Sequence, residues 1–247
     1  MTSNQFSIRL HEARMMMGLS MEKLAELTGG IITKQSISRY EKGLMLPKRV
    51  AKLAMAKALN ISDSYFDGTN LKIDMPMLRT TSNGKLSEGE LQALEAKLSF
   101  WAEQYLAKEK EAGFPTQFHN PIKDTKVSTL EDAIQASILL REKWHCGDGP
   151  IASILRLLER KGIMILAATL PDYVFGLSTW ADNEHPLMIL DFNPEKSSVE
   201  KLRFTAAHEL AHLLLSFPQE SEYSVEKRCD LFASFFLLPK HTFIEEL

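Results

Sequence analysis

The strongest constraint on this chain is the run His208-Glu209-Leu210-Ala211-His212, set inside the apolar stretch FTAAHELAHLLLSF at 204–217. On a helix, two histidines four residues apart lie on one face, one turn apart, and each can offer a ring nitrogen to the same metal ion. Apolar neighbours on either side predict a helix over 199–215 whose other face is buried. Glu209 stands beside the first histidine, where it can take a proton from a metal-bound water. Such sites keep one position for that water, so a third protein ligand is required. Glu226, fourteen residues after His212 and on the following helix, is the leading candidate. His241 and His185 are alternatives, and Glu220 and Glu222 are weaker ones. Asp230 follows Glu226 by four residues on the same helical face. There it can accept a hydrogen bond from the far nitrogen of a ligand histidine, assigned to His208, and fix its tautomer. Two histidines and a carboxylate favour Zn2+. The chemistry expected is metal-assisted general acid–base hydrolysis of a peptide bond, with Glu209 as the proton carrier. Tyr223, His185 and His241 carry groups suited to stabilising an oxyanion, without a choice among them. The plain alternative is a partly exposed helix flanked by two histidines, with Glu209 merely solvated.

Upstream of that run the hydrophobic period alternates between helix and strand. Residues 6–17 read as a helix. Ser20 caps a second, Thr33 caps a third that Gly43 ends, and Pro47 opens a fourth that Asn60 ends. Ser62 begins a last short turn, which makes five short helices within residues 1–66. Residues 67–90, with the turn sequence TSNGK, read as a linker. Helices are expected over 87–112, 129–146 and 151–160, the second carrying Ala133, Ala136, Ile138, Leu139 and Trp144 towards a core. GIMILAAT, DYVFGLSTWA and LMILDF then read as three strands joined by short turns, an antiparallel sheet. A last helix covers 225–237. The fold class is α+β: an all-α five-helix domain at 1–66, the linker, and a mainly helical zincin-like domain with a small three-stranded sheet at 91–247.

Charge divides along the same line. Residues 1–66 hold ten Lys and Arg against five Asp and Glu, and the remainder holds 19 against 27. A basic module on an acidic body suits nucleic-acid binding at one end only. The two cysteines, Cys146 and Cys229, form no CxxC pair, which favours a reducing cytoplasm over a disulfide framework. The N-terminus lacks a signal-peptide core, and no apolar run reaches 18 residues, so no membrane partner is expected.

The run RFTAAHELAHLLLSF, followed by EKRCDLFASFFLLPK, resembles the ImmA/IrrE family of short zinc peptidases, which includes anti-repressor proteases of phage and integrative elements. That resemblance spans roughly 98–240. It implies His208, His212 and Glu226 as zinc ligands and Glu209 as the catalytic residue. Cys229 stands where a small residue, often alanine, is usual. Relatives of this architecture commonly run on past the position of Leu247. Residues 8–66 resemble the lambda-repressor-like helix-turn-helix domains of the XRE type, carried by ARMMMGLSMEKLAELTG and TKQSISRYEKGLMLP. In that class the helix Thr33 to Glu41 enters the major groove of double-stranded DNA. Gln35 can then read adenine and Arg39 guanine, while Lys34, Ser36, Ser38 and Lys42 make backbone or mixed contacts. Ile37 and Tyr40 are expected in the core. Such domains often bind as homodimers.

Together these features imply a DNA-binding regulatory metallopeptidase that cleaves a protein substrate such as a repressor or antitoxin. The competing reading is a helix-turn-helix transcriptional regulator whose peptidase-like domain senses or binds without cleaving. The intact set His208, Glu209, His212 and Glu226 favours the first.

Overall fold

Capping and glycine punctuation divide the first 66 residues into short helices. The computed structural model describes residues 3–68, 71, 73–74, 87–113, 117–170, 174–218 and 222–239. The chain forms two units, Met1–Ile73 with Lys85–Gln104, and Asp74–Gly84 with Tyr105–Leu247.

The first unit holds α1 (Ser3–Met16), α2 (Met21–Leu27), α3 (Lys34–Glu41) and α4 (Arg49–Ala58), then a 3-10 turn at Asp63–Asp67. The fifth helix of the expected bundle is thus a 3-10 turn, started by Ser62, whose hydroxyl accepts from the Ser64 amide. Ser20 and Thr33 cap as expected, their hydroxyls accepting from the Lys23 and Ser36 amides. Pro47 does not open α4: the helix starts at Arg49 after Lys48. Asn60 follows its end in the left-handed region, φ 53°. Phe6, Leu10, Leu24, Ile37, Met55, Leu59 and Phe66 are fully buried in one core. Within this unit Glu41, at the end of α3, is tied to α1. Its carboxylate takes two charge-assisted bonds from Arg14, at 2.6 and 2.8 Å, and a contact from His11 Nδ1 at 3.1 Å. Burial alone would raise the Glu41 pKa, but Arg14 and His11 hold it below the ordinary carboxylate value.

A long helix, α5 (Glu88–Ala112), belongs to the first unit as far as Gln104 and to the second from Tyr105. There α6 (Leu130–Trp144) begins with a capping box between Thr129 and Asp132. Its buried stripe is Ala133, Ala136, Leu140 and Trp144. Ile138 is 49% exposed rather than in the core, because it falls on the opposite side from that stripe. After α7 (Ile154–Arg160) come β2 (Met164–Ala167), β3 (Gly176–Ala181) and β4 (His185–Leu190). The sheet order is β1-β3-β4-β2, with β1 the two-residue strand Ile73–Asp74.

The sheet is mixed, not antiparallel throughout. β3 and β4 form an antiparallel hairpin whose turn puts Asp182 and Asn183 in the left-handed region. β2 pairs with β4 in parallel, Met164 opposite Leu187. β4 lies between β2 and β3, and the chain reaches it from β2 only after passing through β3, so β2 and β4 run the same way. With neighbours on both sides, β4 is buried from Pro186 to Leu190, which accounts for its unbroken apolar run. Two helices close the unit: α8 (Val199–Leu214), capped by Ser198, and α9 (Glu222–Leu237). Ala206, Ala207, Leu210, Ala211 and Leu214 of α8 join Cys229, Phe232, Ala233 and Phe236 of α9 in one core.

Candidate metal centre and DNA-reading helix

Burying the alanine and leucine stripe of α8 leaves His208 and His212 on the helix face that meets α9, half-buried. Their Nε2 atoms lie 3.1 Å apart. Glu226 of α9 reaches the same point, Oε2 lying 3.1 Å from His208 Nε2 and Oε1 3.4 Å from His212 Nε2. Donors at zinc bond lengths of about 2.0–2.1 Å in a tetrahedron stand about 3.3 Å from one another. Two nitrogens and a carboxylate at these separations therefore fit one zinc ion.

Behind this point, His208 Nδ1 lies 2.8 Å from Asp230 Oδ1, the partnership expected from the Glu226/Asp230 spacing. Burial opposes a charged His208, but the carboxylates of Glu226, Glu209 and Asp230 outweigh it and raise its pKa. A high negative charge density around two imidazoles is an environment that attracts a cation.

Glu209 points to the sheet. Its Oε2 accepts a hydrogen bond from Ser178 of β3, at 2.6 Å. Two residues back on that strand, Gly176 faces the same helix. A Cβ at position 176 would meet Thr205 Cγ2 at 2.5 Å and Glu209 Cγ at 3.2 Å. Gly176 and Ser178 thus let β3 approach Thr205 and Glu209, which are themselves one helical turn apart. The sequence by itself singles out neither residue. The period-two spacing of Gly176 and Ser178 puts them on one strand face, but nothing local says which face meets α8.

His185 lies at the start of β4 and, among the described residues, makes no hydrogen bond to the cluster. His241 and Glu220 lie outside the described residues, as do the side chains of Glu222 and Tyr223.

In the first unit, Lys34, Gln35, Arg39 and Lys42 are exposed along α3 and its C-cap, and Ser36 and Ser38 are half-buried. Ile37 and Tyr40 face the core as expected. Lys34 is ion-paired to Glu22 of α2, and Ser36 lies against the Thr33 hydroxyl at 3.1 Å. Gln35, Arg39 and Lys42 are thus exposed polar side chains on this helix and its C-cap that, among the described residues, make no side-chain ion pair.

Residues 10–66 match the family model described as helix-turn-helix. Residues 158–247 match the model of the IrrE N-terminal-like domain. The chain thus carries an XRE-type DNA-binding domain followed by an IrrE/ImmA-like peptidase domain, and it has the make-up of a regulator with a peptidase-like domain. Searches of curated proteins and of solved structures return no match. Among the described residues, no helix is long and apolar enough to cross a membrane.

Proposed function

We propose that this protein is a DNA-binding zinc endopeptidase of the cytoplasm that cleaves a partner protein such as a transcriptional repressor or antitoxin. One observation carries the reading: His208 Nε2, His212 Nε2 and the Glu226 carboxylate converge at 3.1–3.4 Å. Zinc held by these donors would supply Lewis acidity towards a scissile carbonyl and make water nucleophilic near neutral pH.

The side chains of the chain supply the rest. To present Nε2 to a cation, His208 must carry its ring proton on Nδ1, and Asp230 accepts that proton's hydrogen bond. Glu209 uses one oxygen to accept from Ser178. Its other oxygen serves to receive the proton of the attacking water and pass it to the leaving amine. Exposed Gln35 and Arg39 read base edges from the major groove, with Lys42 on the phosphate backbone.

The test has two arms. Metal analysis of the purified protein is expected to give about one zinc per chain, lost in Glu226→Ala. New protein N-termini are then mapped in cells making wild type or Glu209→Gln. A small set of termini present only with wild type is expected. Zinc binding with identical termini in both strains would sink the cleavage reading and leave a helix-turn-helix regulator with a non-proteolytic peptidase-like domain.

A further inference from the structure

α9 carries Glu226, Cys229 and Asp230 at spacings of three and one, so all three turn towards α8. Glu226 faces the ligand nitrogens, and Asp230 backs His208. Cys229 is fully buried, and its Sγ lies 3.7 Å from His212 Nδ1. Among the described residues, that nitrogen makes no other hydrogen bond. The other ring nitrogen, Nε2, is the one directed at His208 and Glu226.

We infer that Cys229 is a positioning residue for the metal site: its sulfur accepts the Nδ1–H of His212 and holds the tautomer whose Nε2 can bind the ion. The inference rests on the zinc reading above. Its chemistry follows from the two tautomers of a neutral imidazole. With the proton on Nε2, His212 cannot ligate. With the proton on Nδ1, Nε2 is open, and the N–H at the back needs an acceptor. Sulfur is a weak acceptor, but within this 3.7 Å contact it supplies the required partner.

His208, His212 and Cys229 also lie close enough together to be taken for a His/His/Cys ligand set. The geometry argues otherwise. The sulfur contacts the nitrogen on the far side of the His212 ring from Glu226 and the His208 Nε2. One ion at the shared Nε2 position takes Glu226 as its third ligand, and Cys229 supports from behind. The two histidines are then held unequally, His208 by a carboxylate and His212 by a sulfur.

Zinc affinity is measured on the full chain under reducing conditions, by competition with a chromophoric chelator. Wild type, Cys229→Ser, Cys229→Ala and Cys229→Val are compared, after checking that each metal-free protein melts cooperatively. Serine keeps an acceptor, alanine removes it, and valine fills the space without one. Loss of a supporting hydrogen bond typically weakens metal binding about 10–100-fold. That loss is expected for alanine and valine alike, with serine, whose oxygen sits on a shorter bond, falling between alanine and wild type. The Co2+-loaded wild type is expected to lack a thiolate-to-cobalt charge-transfer band. Such a band, abolished in Cys229→Ala, would make Cys229 a ligand and overturn the inference. Equal affinity in wild type and alanine would overturn it too, as would valine binding as tightly as wild type. Failure of wild type to bind zinc is a different result: it removes the metallopeptidase reading itself, and the inference with it.

Discussion

Gly176→Ala adds one methyl group at the closest approach of β3 to the helix that carries Glu209. Residue 176 lies outside the left-handed region, so the substitution adds no backbone strain, and its effect is a packing effect. The new Cβ would sit 2.5 Å from Thr205 Cγ2, and 3.2 Å from both Glu209 Cγ and Leu190 Cδ2. Carbon atoms pack at about 3.5–4.0 Å, so roughly 1 Å of separation must be recovered at Thr205 alone. Thr205 is β-branched on a helix, where its rotamers are few, and the strand is pinned by its pairing with β4. The strain should cost about 1–3 kcal/mol. In a unit of this size that is a fall in melting temperature of roughly 2–12 °C. The main obstacle is the Thr205 methyl, so Thr205→Ser should recover much of the loss. Scanning calorimetry of wild type, both single variants and the double variant gives the coupling as a double-mutant cycle. A favourable coupling of about 1 kcal/mol or more is expected. Additive losses, or a Gly176→Ala protein that melts with wild type, would refute the claim that β3 and α8 are held at this distance by the missing side chain.

Other expectations concern the two sites and the α1–α3 tie. Ser178→Ala should leave zinc content unchanged but slow formation of the Glu209-dependent N-termini by up to about 10²-fold, since a misplaced proton carrier costs rate rather than metal; an unchanged rate would count against Ser178 as a support for Glu209. Arg39→Ala should cost about 1–3 kcal/mol on a selected operator and relax preference at one base pair, whereas Lys42→Ala should weaken all sequences alike and lower the salt slope by about one, both read by gel shift across salt concentrations. Glu41 has a depressed folded-state pKa, so its contribution is present above the unfolded carboxylate value of 4.5 and is lost as pH falls through the folded value. Melting of Glu41→Gln should therefore fall below wild type at neutral pH, where breaking a buried ion pair costs about 3–5 kcal/mol, and the gap should narrow towards pH 3. A gap that stays constant with pH would show that Arg14 and His11 do not hold this carboxylate charged.

Features that depend on neighbours in the chain are legible in the sequence alone. The i, i+4 spacing of His208 and His212 fixes their shared face. The same period on α9 links Glu226 to Asp230, and the apolar residues around both sets dictate that the two helices pack. Ser20 and Thr33 cap helices because a hydroxyl three residues before a free amide closes the same bond wherever it occurs. Only tertiary structure decided which face of β3 meets α8, and hence that Gly176 and Ser178 attend Glu209. It also decided that β4 lies between β2 and β3, making the sheet mixed, and that Ile138 stays exposed. Cys229 illustrates the division best. Its place three residues after Glu226 was visible, but its contact with His212 Nδ1 depends on the rotation and depth of one helix against another. Periodicity specifies which side chains share a face; only packing between elements sets the few ångströms that decide which atoms meet.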